Sequence, residues 1–133
     1  YSSMPGTSRH HWGTDFDINS VEPAHFESGS GQKTYAWLAA HATEFGFFQP
    51  YVAFGATRKL GYQEEKWHWS YFPISNQMLQ AYKRMVKYSD ISGFPAAERA
   101  QEMNVFGRFV ECVPDLIAQQ KGFLYASAAK PSR

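Results

Sequence analysis

The stretch Ser8-Arg9-His10-His11-Trp12-Gly13-Thr14-Asp15-Phe16-Asp17 is answered, further along the chain, by Glu65-Lys66-Trp67-His68-Trp69. From Thr14 the first stretch alternates, with Asp15 and Asp17 on one face and Phe16 and Ile18 on the other. This pattern predicts a short half-buried strand whose apolar face meets the core. Lys66 to Phe72 alternates in the same way: Trp67, Trp69 and Tyr71 face away from His68, Ser70 and Phe72, and Pro73 is expected to close the strand. If the two segments meet in space, they bring together two imidazoles, a carboxylate and a spare glutamate. That is the donor set of a catalytic zinc, with three protein ligands, one open position and a nearby base.

Working outward, residues 1–9 read as an irregular entry loop and Glu27 to Gln32 as a polar loop. A helix is expected from about Lys33 to Phe45, with Tyr35, Leu38, Ala39, Ala42 and Phe45 on one stripe and Gly46 as its stop. Phe47 to Phe54 reads as an extended segment broken at Pro50, and a turn follows near Lys59-Leu60-Gly61. Ser75 is placed to cap a helix over about Asn76 to Tyr88, with Met78, Leu79, Tyr82, Met85 and Val86 turned inward. Pro95 suits the first residue of a further helix. Val105, Phe106, Phe109, Val110 and Val113 form its continuing apolar stripe, ended by Pro114. The sum is an α+β fold, a small mainly antiparallel sheet carrying the site and flanked by helices.

Composition narrows the function classes. The 133 residues suit one compact domain, and 44% hydrophobic with 19% charged residues is a globular balance. The formal net charge is +1, and no basic stripe favours nucleic acid. The lone Cys112 allows no internal disulfide and no cysteine-rich zinc site, and it reads as an inert core thiol. No apolar run reaches the ~18 residues of a membrane span, and no signal peptide is visible. Aromatics at 17% can serve a core or a cleft wall alike.

A zinc site built on strands needs ligands that project to one side. His10 precedes the Trp12-Gly13 turn, Asp17 lies on the strand beyond it, and His68 comes from the second strand. Glu65 stands three residues before His68. On a regular strand it would face away, so a bend or bulge near Lys66 is expected.

These two segments resemble the zinc D-alanyl-D-alanine carboxypeptidases of the VanY and VanX type. SRHHWGTDFD fits their SxHxxGxxxD pattern and EKWH fits their ExxH pattern, and the pairing in this order is specific. The segment from Trp37 to Phe47 is also similar. The resemblance implies one zinc ion per chain bound by His10, Asp17 and His68, with Glu65 as general base and acid. It further implies that Ser8 holds the substrate's terminal residue, and Trp67 is expected in the cleft wall. The implied substrate is a peptidoglycan stem peptide, the implied reaction is removal of its terminal D-Ala, and the implied location is the bacterial cell envelope. An L,D-carboxypeptidase, an endopeptidase of the same family and a non-catalytic cell-wall-binding module stand as alternatives.

The chain departs from the family pattern in two places. Asp15 stands where many members have a small residue, usually alanine, and so is either a partner for a ligand histidine or a rival ligand. Members also carry an oxyanion-steadying arginine or similar group well upstream of the serine motif. The expectation is therefore a single zinc peptidase domain over residues 1–126 with its N-terminal part missing, followed by a mobile tail at 127–133. His25 and His41 read as structural, His41 through stacking on Trp37, while His11 sits beside a ligand. Glu64 competes with Glu65, but the spacing to His68 favours Glu65.

Overall fold

The computed structural model describes residues 3–114, so the expected tail at 127–133 and the domain limit at 126 lie outside the described residues. Three short strands form the sheet: β1 (Asp15–Asp17), β2 (Phe47–Phe48) and β3 (His68–Tyr71). Their order is β1-β3-β2, and both pairings are antiparallel. The central strand β3 sets Asp17 opposite His68 and Asp15 opposite Ser70. In an antiparallel pair, opposed residues share a face, so this register alone gathers four polar side chains on one side of the sheet. The expected α+β architecture with a small antiparallel sheet is what the chain forms.

The faces of β1 are not the expected ones. Asp15 is buried, whereas Phe16 is 43% exposed and meets Phe47 edge-on at 5.5 Å. The carboxylate goes inside because every one of its acceptor positions is paired there, and a buried charge so satisfied is tolerated. Phe16 is left to pack on the outer surface.

Among the described residues there are two α-helices: α1 (Gly29–His41), which packs on the neighbouring 3-10 turns, and α2 (Phe72–Met85), which packs on β3. The first begins earlier than expected, and its last turn tightens into a 3-10 turn over Ala42–Phe45. Gly46 ends it at φ 87, a left-handed conformation where a Cβ would also lie 2.8 Å from the Tyr71 ring. The segment after it pairs only at Phe47–Phe48, and the expected strand to Phe54 gives way to irregular chain after Pro50. Pro73 does not close β3 from outside. It sits in the first turn of α2, where its missing N–H costs nothing, and Tyr71 is the N-cap. Ser75, expected as the cap, is buried one turn inside α2.

The inward stripe of α2 holds Leu79 and Tyr82 but not Met78 and Met85, which are exposed. Leu79 and Tyr82 pack with Ile91, Ala97, Val105, Phe106 and Val110 in the larger core. The helix expected from Pro95 is replaced by a 3-10 turn (Ala97–Arg99), irregular turns and a π-helical turn (Phe106–Val110). Ala96 and Asn104 take left-handed backbone at φ 65 and 49, which interrupts at both positions any right-handed helix running on from Pro95.

Candidate metal centre and cleft

The SxH motif is shaped by a 3-10 turn over Arg9–Trp12. Ser8 caps it, accepting a hydrogen bond from the His10 backbone N–H at 3.3 Å, and Gly13 ends it at φ 69. That sharp reversal sends the chain into β1 and leaves His10 beside Asp17. The second motif turns at Lys66-Trp67: the His68 N–H returns to the Glu65 carbonyl at 3.3 Å. This is the bend the spacing required, and it puts the Glu65 carboxylate on the same side as His68.

Three donor groups converge. His10 Nε2 lies 3.5 Å from Asp17 Oδ1, and His68 Nδ1 lies 3.7 Å from the same oxygen. One ligand atom from each residue falls within 4.8 Å of the other two. Atoms at ~2.0–2.2 Å from a common tetrahedral centre stand about 3.4 Å apart, so the pairs to Asp17 are already close to that spacing. The two imidazole rings lie 4.4 Å apart between centroids.

The far ring nitrogens are tied down. His10 Nδ1 donates to the Asp15 carbonyl at 3.1 Å, which leaves Nε2 as the site-facing lone pair. His68 Nε2 lies 3.0 Å from Asp15 Oδ2. A carboxylate can only accept, so Nε2 carries a proton toward Asp15, and Nδ1, turned to the centre, is the nitrogen an ion would take once it gives up its proton to Glu65. Histidines prepared in this way, one nitrogen anchored and the other presented, are what metal sites use. The donor set therefore fits a divalent zinc.

Asp15 is the centre of a buried network. Its Oδ1 accepts from Thr14 Oγ1 at 3.0 Å and Ser70 Oγ at 2.6 Å, and its Oδ2 accepts from Arg9 Nε at 2.8 Å as well as from His68. Arg9 Nη2 also donates to Ser70 Oγ at 3.0 Å, and the guanidinium lies over Trp12. Burial would raise the Asp15 pKa, but the His68 hydrogen bond, the Arg9 charge and Ser70 outweigh it and bring it down to about 2. Burial likewise works against charging His68, yet its hydrogen bonds to the Asp15 and Glu65 carboxylates prevail and raise its pKa above the ordinary histidine range. Arg9 and Ser70 were not singled out by sequence reasoning. The available signal was the register of β3 on β1, which sets Ser70 opposite Asp15.

Glu65 Oε2 reaches His68 Nδ1 at 3.1 Å. Its backbone is pinned on both sides: the N–H donates to Tyr51 O at 2.9 Å, and the carbonyl accepts from Gln49 Nε2 at 3.1 Å. Tyr51 is buried, its hydroxyl donates to Phe109 O at 2.6 Å, and its ring stands edge-on to His68 at 4.9 Å. Glu64 points elsewhere and accepts from the Tyr35 hydroxyl at 3.3 Å. Burial and the Glu64 charge push that hydroxyl's pKa up to about 12.

These groups open on a cleft of about 1210 Å³ lined by Ser8, His10, His11, Asp17, Glu65, Trp67 and His68. Trp67 lies in its wall and its ring is 6.2 Å from Phe26, whereas Trp69 is buried and belongs to the core. Residues 61–64 also line the cleft, held by Arg58. Its buried guanidinium donates to the carbonyls of Val52, Leu60, Tyr62 and Gln63. His25 and His41 are not among the residues that line the cleft; His41 stacks on Trp37 at 5.2 Å and pairs with Glu44 at 2.8 Å. Among the described residues no helix is long and apolar enough to cross a membrane.

Two known proteins are similar to part of this chain. An uncharacterised protein of Haemophilus influenzae is 31% identical over 91 residues, covering 59% of this chain and 68% of that protein. A D-alanyl-D-alanine carboxypeptidase of Enterococcus faecalis is 35% identical over 72 residues, covering 54% of this chain but only 25% of that protein's length. No solved structure matches the chain. The family model of the VanY D-alanyl-D-alanine carboxypeptidases matches residues 1–74, which contain both motifs and all three strands. By that match the chain belongs to the VanY family of D-alanyl-D-alanine carboxypeptidases.

Proposed function

We propose that this chain is a zinc metallopeptidase that removes the terminal D-Ala from peptidoglycan stem peptides in the bacterial cell envelope. The observation that carries this reading is the convergence of His10 Nε2, Asp17 Oδ1 and His68 Nδ1, with Glu65 against the same centre. Membership of the VanY family supports the reaction class. His10, Asp17 and His68 would hold the ion, which when bound supplies Lewis acidity toward a scissile carbonyl and toward water.

The chain's own groups then account for the remaining chemistry. Glu65 Oε2 is placed to take a proton from the attacking water and deliver it to the leaving amine. With its backbone pinned by Tyr51 and Gln49, the carboxylate swings over a narrow arc, which preserves its aim through both transfers. Ser8 Oγ accepts from the His10 N–H, leaving its own O–H to donate to the substrate's terminal carboxylate. Trp67 offers an apolar wall that limits water beside the scissile bond. A cleft of about 1210 Å³ exceeds the ~300–1,000 Å³ of common small-ligand sites. That volume suits several residues of a stem peptide better than a free dipeptide.

The test is to incubate zinc-loaded protein with defined pentapeptide and tetrapeptide stems and to follow products by mass. Loss of one D-Ala from the pentapeptide is expected. Glu65→Gln should lower the rate by about 10²–10⁴-fold while one metal equivalent is retained. Release of D-Ala from neither stem, with metal bound, would refute the carboxypeptidase reading. Internal cleavage or trimming of the tetrapeptide alone would reassign the reaction to an endopeptidase or an L,D-carboxypeptidase.

A further inference from the structure

We propose that Asp15, held by Arg9, Ser70 and Thr14, is a positioning residue that fixes the tautomer and aim of His68 and so sets the affinity of the metal centre. The inference rests on the zinc reading above and names residues outside its ligand set. The sequence left Asp15 as either a partner of a ligand or a rival ligand, and its hydrogen bonds decide between them. A carboxylate offers about four acceptor sites. All four are filled, by Thr14 and Ser70 on Oδ1 and by Arg9 and His68 on Oδ2. No lone pair is left to bind a cation, and Asp15 lies on the far side of the His68 ring from Asp17 and Glu65.

Each partner has a distinct consequence. The short Ser70 bond and the Thr14 bond stop the carboxylate from rotating. Arg9 Nε fixes Oδ2 while Nη2 reaches Ser70, so one guanidinium clamps both the acid and its restraint. A carboxylate thus locked accepts the Nε2 proton of His68 and nothing else on that ring. The other nitrogen, Nδ1, must face the cleft. Asp15 also contributes its backbone carbonyl to His10 Nδ1, so a single residue orients both imidazoles, one through its side chain and one through its main chain. A small residue at this position would keep the second bond and lose the first.

Arg9 follows from the same geometry. It is 1% exposed, and its charge neutralises a carboxylate buried beside the site. Its fork, rather than its charge alone, positions Asp15, and a lysine cannot reproduce that geometry.

The test is zinc affinity by chelator competition in wild type, Asp15→Asn and Arg9→Lys. It is read beside ¹⁵N NMR of the histidine side chains in the zinc-loaded protein and near-UV circular dichroism as a check of folding. Expected are His68 ligation through Nδ1 with Nε2 protonated in wild type, and affinity about 10–100-fold weaker in Asp15→Asn, with a smaller loss in Arg9→Lys. Should Asp15→Asn fail to fold, Arg9→Lys and Ser70→Ala carry the comparison, since both leave the carboxylate in place and loosen its aim. Unchanged affinity in folded variants, or His68 ligating through Nε2, overturns the inference while leaving the zinc reading intact. Failure of wild type to take up zinc overturns the zinc reading, and this inference with it.

Discussion

At the scale of the residue, the site is governed by which atom of each side chain is already committed. Asp17 and Asp15 look alike in sequence, two positions apart on the same strand face. One has a carboxylate half open to the cleft and the other has none of its oxygens free. The pKa values follow. In chelated protein, Asp15 lies at about 2, below the ordinary 3.8, so its stabilising contribution is present above about 4 and is lost as pH falls toward 2. The loss is about 2 kcal/mol. His68 runs the other way: its pKa is raised from 6.5, so its contribution is full below that value and disappears as pH rises through the folded value. We therefore expect urea denaturation in the presence of chelator to show greatest stability at mildly acidic pH, with a decline on both sides. A curve that rises steadily from pH 5 to pH 8 would contradict this. That Asp15 and Asp17 share a face was legible in the sequence. That Asp15 is the buried one of the two was not, because its burial depends on the fold-back of Arg9 through the Arg9–Trp12 turn and on Ser70, which β3 brings opposite it.

At the scale of the element, close approaches override propensity. Gly31 lies in α1, where replacing glycine by alanine ordinarily adds about 1 kcal/mol. Here a Cβ at position 31 would lie 2.0 Å from the His25 carbonyl, in the 3-10 turn Pro23–Phe26 that packs on α1. Gly31→Ala should therefore lower stability by about 1–3 kcal/mol, seen as a fall in melting temperature. The loop over residues 52–63 makes a second case. It has little regular structure, and its carbonyls converge on the buried Arg58. Arg58→Met should leave those carbonyls unpaired, open the cleft wall at Tyr62 and Gln63, and speed proteolytic nicking within residues 52–63. Helix α2 was recognisable from its apolar spacing. Its true start at Phe72 was obscured because Pro73 reads equally well as a strand terminator and as a first-turn residue.

At the scale of the whole molecule, the centre joins parts of the chain that are distant in sequence. Residues 8–17 and 65–70 meet only through the pairing of β1 with β3, and α2 then anchors β3 to the larger core. An ion bound across that junction stabilises the folded state by mass action. At a zinc concentration 100 times the dissociation constant the gain is about 2.7 kcal/mol, or about 10 °C in melting temperature for a domain of this size. Thermal unfolding with and without zinc measures it, and His68→Ala should remove most of the shift. An undiminished shift in that variant would place the ion elsewhere.

The two motifs, their order, the class of fold and the donors expected to converge were legible in the sequence. Those features reside in local spacing: a glycine-ended turn, alternation along short strands, and a carboxylate three residues before an imidazole. Three-dimensional packing settles that Asp15 and not Phe16 is buried on β1, that Asp15 is saturated by partners, and that Arg9 and Ser70 stand behind His68. The reason is physical. A buried carboxylate is tolerated where its hydrogen bonds are met, and for Asp15 the partners come from a 3-10 turn, from Thr14 just before β1, and from β3, which pairing brings alongside.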